Sequence, residues 1–163
     1  MEVYKMSVYK RIIFKDQEYS FKCSAGTDLL FKRLFKTDLD AMYKGAVLGI
    51  DPDLDIKELM DQVTELRSGK KNDPEVIKKG LELVKNNAGF LDATARLTEF
   101  IKEFAFVTYL EAKYEPKEIM KYLNVEEFTI WLLSMDERFF KENATAFQNF
   151  YTENIHQTSE PKN

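Results

Sequence analysis

Apolar and polar positions alternate at the front of the chain and then change period. Between Val8 and Phe14 ("VYKRIIF") the apolar residues come close together. After "KDQ", the stretch "EYSFKCS" sets Tyr19, Phe21 and Cys23 on one face against Ser20 and Lys22 on the other. Two strands joined by a tight polar turn fit this pattern, which predicts an N-terminal β-hairpin. A lone hairpin is marginal in water, so its apolar face must be covered by later segments of the chain.

Gly26 ends the alternation. Thr27 or Asp28 can accept hydrogen bonds from the first free amides, and "LLFKRLFK" spaces Leu30 with Leu34 and Phe31 with Phe35 as an amphipathic helix does. Thr37 and Asp38 offer a cap for a second helix, "LDAMYKGAVLG", closed by Gly49 and the region of Pro52. From Leu54 to Leu66, Ile56, Leu59, Met60, Val63 and Leu66 fall near one face and predict a third helix. After the interruption "RSGKKND", Asp73, Pro74 and Glu75 combine a cap, a proline at the first helical position and an early acid. That helix is expected to run to Asn87.

The longest helical pattern runs from Asp92 to Tyr114, and its middle, "FAFVTYL", is apolar on nearly every side, which places it centrally. Pro116 ends it, and a short turn of helix comes next around "KEIMKYL". Asn124 and Glu127 form a capping box before "EFTIWLLSM", whose Trp131 is expected to anchor the helix in the core. The last segment, "DERFFKENATAFQNFYTENI", reads as one helix with two stripes, Phe140, Ala144, Phe147 and Tyr151 on one and Phe139, Ala146 and Phe150 on the other. A single neighbour cannot bury both, so Phe139 and Phe150 are expected to form part of an exposed docking surface.

The expected fold is α+β and predominantly α, an N-terminal β-hairpin packed on a bundle of six to seven helices. Residues 1–155 read as a single domain, with the stretch 68–73 as the one candidate for an internal boundary, and residues 156–163 as a flexible polar tail. The 163 residues are 44% hydrophobic and 13% aromatic, enough for a core. Acids outnumber bases 28 to 24, and the net charge of -4 argues against general nucleic-acid binding. One cysteine cannot form an internal disulfide, and the first residues lack the apolar run of a signal peptide or a membrane span. The expectation is a soluble protein of a reducing intracellular compartment, with no membrane partner.

Catalytic constellations are missing from this pattern. A nucleophile with its base would need Cys23 or a serine near a histidine, yet the only histidine is His156 in the polar tail. Cys23 reads as a small buried hydrophobe, and one Cys with one His cannot build a zinc site. Asp51, Asp53 and Asp55 alternate as the first ligands of a calcium loop would, but Ile56 and Gln62 stand where that loop needs glycine and glutamate. "SGKK" has Thr64 where a phosphate loop needs its first glycine. No enzyme activity, metal or cofactor is therefore expected. The basic cluster Lys32, Arg33 and Lys36, with Lys10 and Arg11 in the preceding strand, is the one patch suited to an anion. Its simplest reading is a solvated face, and its functional reading is contact with an acidic partner surface.

The order of these segments resembles a known family. An alternating "YSFK" strand, a small-residue break, the helix "TDLLFKRLFKTDLDAM", a long helical body with "EEFTIWLLSMD", and an aromatic helix running into "TSEPKN" are similar to the tail assembly chaperones of long-tailed (siphovirus-type) bacteriophages and prophages of Gram-positive bacteria. The resemblance spans most of the chain and implies a non-enzymatic protein of the host bacterial cytoplasm. Its partners would be the tape measure protein, a long helical apolar chain that it keeps soluble, and the major tail tube protein, recruited around that client. Several copies, or a homo-oligomer, would line one client, and none would remain in the mature virion. In such genes a programmed frameshift near the end often appends a second domain, and "EPKN" is compatible with an A-rich slippery run. The alternatives are a structural phage component, such as a minor tail or head-completion protein, and then a small DNA-binding regulator using Lys32, Arg33 and Lys36, which would bind DNA with steep salt dependence.

Overall fold

The dipeptide Lys15–Asp16 turns the chain through the left-handed region, with φ of 49° and 64°, as a two-residue turn of type I′ requires. It joins β1 (Val8–Phe14) to β2 (Gln17–Cys23) in an antiparallel ladder that sets Lys10 opposite Phe21 and Ile12 opposite Tyr19. This computed structural model describes residues 7–48, 55–70 and 72–155. Gly49, Pro52, Asp51, Asp53, His156 and the expected tail 156–163 lie outside the described residues.

The described residues contain nine helices: α1 (Thr27–Phe35), α2 (Leu39–Leu48), α3 (Ile56–Ser68), α4 (Pro74–Asn86), α5 (Ala88–Lys113), α6 (Pro116–Tyr122), α7 (Val125–Ser134), α8 (Glu137–Glu142) and α9 (Ala144–Asn154). The class is α+β and mainly α, as the patterning predicts, with more helices than the six or seven expected. One excess element comes from Asn143, which divides the last predicted helix. Its backbone N–H and its Nδ2 both donate to the carbonyl of Phe139, at 3.2 and 2.8 Å, so the side chain competes for the helix's own acceptor. The chain then restarts as α9.

Packing divides the chain into two compact units, Met1–Tyr43 with Thr98–Asn163 and Lys44–Leu97. The stretch 68–73 falls inside the second unit, and the divisions fall within α2 and α5.

In the first unit the hairpin's apolar face is covered by the end of the chain. The Phe139 ring meets Phe14, Tyr19 and Phe21 at centroid distances of 5.6, 4.9 and 6.2 Å, and Phe147 meets Phe21 edge-on at 4.9 Å. Along α5, the five consecutive residues Phe104 to Thr108 are all buried, which confirms the central placement of "FAFVTYL". Thr108 satisfies its buried hydroxyl by donating to the carbonyl of Phe104 at 2.9 Å. Trp131 is buried against Phe106 and Phe140, as expected of an anchor. Asn124 caps α7 by accepting from the Glu127 N–H at 2.8 Å.

In the second unit α3 and α4 form a helical hairpin. Asp55 and Asp73 cap them, accepting from the Glu58 and Glu75 amides at 3.0 Å each. Of the acids leading into α3, Asp55 is thus a helix cap. Gly69 lies just after α3, where the chain passes close to α4; a Cβ there would lie 3.0 Å from Val76 Cγ2.

Candidate protein-docking surface

Lys32, Arg33 and Lys36 gather at the C-terminal end of α1, where cations complement the helix dipole. Lys36 closes the helix in the left-handed region at φ 62°, its backbone N–H bonded to Lys32 and its Nζ to the carbonyl of Arg33. Lys32 pairs with Asp38 at 3.3 Å, so the cluster is partly neutralised by its own chain. Lys10 and Arg11 are exposed, and Arg11 faces Glu18 across the strands at 3.5 Å. All these cations are solvent-facing.

The expected exposure of Phe139 and Phe150 is corrected by the structure. Phe139 is 0% and Phe150 4% exposed. The break at Asn143 places them on different helices, where Phe139 fills the centre of the hairpin cluster and Phe150 packs 5.9 Å from Phe104. Neither ring is available to another chain in this fold.

Spare apolar surface lies elsewhere. On α4 and the start of α5, Ile77, Leu81, Val84 and Leu91 are 50, 67, 55 and 44% exposed. Within α4, Ile77, Leu81 and Val84 follow steps of four and three, as on a coiled-coil seam, while Leu91 lies in α5 beyond the turn at Asn87. Lys78 and Lys85 line one edge of this stripe. About 100° around the axis, Val76 and Leu83 turn towards α3 and line a groove of about 530 Å³ with Leu66 and Gly69. α4 therefore carries two apolar faces and has no fully buried residue. The sequence held this signal in the paired stripes Val76/Leu83 and Ile77/Leu81/Val84, but a reading that stopped at the clear helix start did not use it.

A second concavity lies in the first unit, beside β2 on the side away from β1. This cleft of about 550 Å³ is lined by Gln17 to Ser20 of β2, by Tyr109 and Lys113 of α5, and by Trp131 and Met135 at the end of α7. Tyr109 stacks on Trp131 at 5.4 Å. Lys113 donates to the Tyr109 hydroxyl at 2.9 Å, a bond that holds its ammonium charged.

Glu111, Cys23 and Glu103 carry pKa shifts caused mainly by burial. Glu111 accepts from the Ser24 hydroxyl and, at 2.6 Å, from the Thr27 hydroxyl, tying the exit of β2 and the start of α1 to α5. Burial raises its pKa, and the two hydroxyl donors pull it back. Burial also pushes up the thiol of Cys23, which keeps it protonated and inert. Burial raises Glu103 to about 7, with Glu99 adding to the effect. Among the described residues no group of three or more His, Cys, Asp or Glu side chains could hold a metal ion, and no helix is long and apolar enough to cross a membrane.

Comparison with known families, with curated proteins and with solved structures found no match to this chain.

Proposed function

We propose that this protein is a tail assembly chaperone of a long-tailed phage or prophage, a non-enzymatic binding protein that keeps the tape measure protein soluble and helps gather tail tube subunits around it. The reading is supported by the order of segments along the chain and, above all, by the bare stripe Ile77, Leu81 and Val84 of α4. A long amphipathic client helix aggregates when its apolar face is uncovered. A helix with seam spacing and free side chains offers that face a match by the helix-in-groove mode, with Lys78 and Lys85 selecting clients that carry acids along the flank. Shallow contacts of this kind release as readily as they form, which suits a protein that works in the host cytoplasm and is absent from the finished virion.

The experiment is co-expression with the tape measure protein encoded beside it. The client should stay in the soluble fraction with the chaperone and precipitate without it. Equal precipitation in both cases refutes the reading. Protein analysis of purified virions should find this chain missing; its presence would mark a structural component instead.

A further inference from the structure

Three backbone positions of β2 face away from β1. The two-residue turn makes Phe14 and Gln17 a hydrogen-bonded pair, and the alternation of an antiparallel ladder then turns the N–H and C=O groups of Glu18, Ser20 and Lys22 outward. Among the described residues no hydrogen bond reaches these outward groups. Glu18 and Ser20 open directly into the cleft walled by Tyr109, Lys113, Trp131 and Met135.

The edge dictates the form of its occupant. A helix placed there would leave the strand's donors and acceptors unmade, because its own backbone groups bond internally. A second copy's sheet edge is too broad, because helices α5 and α7 form the cleft's far wall. An extended single segment fits both constraints, since it makes backbone bonds at alternate residues and directs every second side chain into the wall. The wall also specifies charge. Lys113 lies between the Tyr109 and Tyr114 rings, 5.4 and 5.3 Å from their centroids, and no carboxylate among the described residues pairs with it. The Glu18 carboxylate is already directed to Arg11.

We propose that the free edge of β2 is a strand-addition site, which takes an extended segment of a partner protein with apolar side chains against Trp131 and a carboxylate at Lys113. This goes beyond the helical-client reading, because it accepts extended chain, in a different unit of the protein, and either can fail without the other.

Trp131 is the only tryptophan in the chain and lines the cleft, so its fluorescence responds when the cleft is filled. The probe is a blocked peptide of sequence Val-Thr-Glu-Thr-Val-Thr, whose valines and glutamate share one face of an extended strand, titrated into the protein. A saturable change in Trp131 emission is expected, weakened about tenfold or more when alternate peptide amides are N-methylated. Ser20→Pro should weaken binding to a similar degree while far-UV circular dichroism stays unchanged, because the Ser20 N–H is not part of the ladder and an outward edge position tolerates proline. Should that variant unfold, the N-methylated peptide decides. Lys113→Gln should weaken the glutamate peptide several-fold and leave its glutamine version unaffected. No saturable change up to about 1 mM peptide, where the interaction would be weaker than about 4 kcal/mol, overturns the proposal. Equal binding of the N-methylated peptide, or undiminished binding by a folded Ser20→Pro variant, overturns it as well.

Discussion

Thr27 donates its hydroxyl to Glu111 at 2.6 Å in the interior of the protein, joining the first turn of α1 to the far end of α5. The same hydroxyl oxygen accepts the Ser24 amide at 2.9 Å. One side chain therefore fixes the exit of the hairpin and satisfies part of a buried carboxylate. Thr27→Val keeps the shape and removes both bonds. The expected cost is about 1–3 kcal/mol in urea unfolding, because it leaves buried polar groups unpaired. The loss should be larger at pH 8 than at pH 4, since a protonated Glu111 needs fewer donors. An equal loss at both pH values would show that the hydroxyl is not supporting the ionised carboxylate.

Glu103 offers the clearest pH dependence. Its folded pKa of about 7 lies above the ordinary value of 4.5, with burial the main cause and Glu99 the second, and one of its oxygens is buried without a partner among the described residues. The folded protein thus holds this proton more tightly than the unfolded chain does. Its stabilising contribution is complete below pH 4.5 and is lost as pH rises through 7. Glu103→Gln should flatten that slope and raise stability at pH 8 by about 1–2 kcal/mol, while leaving stability at pH 4 nearly unchanged. Thermal melts of both proteins across this range provide the check.

Phe139 separates a packing role from a docking role. It touches three rings of the hairpin as well as Phe140 and Phe147. Phe139→Ala should cost about 3–5 kcal/mol. A variant that unfolded at the wild-type urea midpoint would mean that the ring is not central to the fold.

Leu81 should behave in the opposite way. It is largely exposed, so Leu81→Glu is expected to change stability by less than about 0.5 kcal/mol. If the α4 stripe receives the client helix, the same change removes the burial of one leucine and weakens client binding roughly ten- to hundredfold. Pull-down of the client at matched concentrations reads this directly. Unchanged capture would remove the stripe from the proposed function.

The hairpin, the helix starts and the central helix were legible because each rests on local chemistry. The alternation of Tyr19, Phe21 and Cys23, the Asp73–Pro74 start and the Asn124 cap all needed only near neighbours in sequence. The break at Asn143 was hidden because the phenylalanines on either side keep a helical rhythm across it, and a weak competing side-chain bond decides the outcome. Misreading that break made Phe139 and Phe150 look like one stripe of a continuous rod and suggested an exposure that neither ring has. Burial of the aromatic rings depended on contacts between distant segments, such as Phe21 with Phe147, which periodicity along one helix cannot supply. The cleft was hidden for the same reason, since its walls come from β2, α5 and α7.

The division of the first unit between the two ends of the chain sets an order of events during synthesis. The hairpin leaves the ribosome long before Phe139 and Phe147, which cover it. At about 5–20 residues per second, Phe21 waits on the order of ten seconds for its lid. Through that interval the nascent chain carries an open sticky sheet, and any holding factor in the cell has its best opportunity before the last two helices emerge. A premature stop ahead of α8 would leave that sheet open for good, so truncated products should be the first to be degraded.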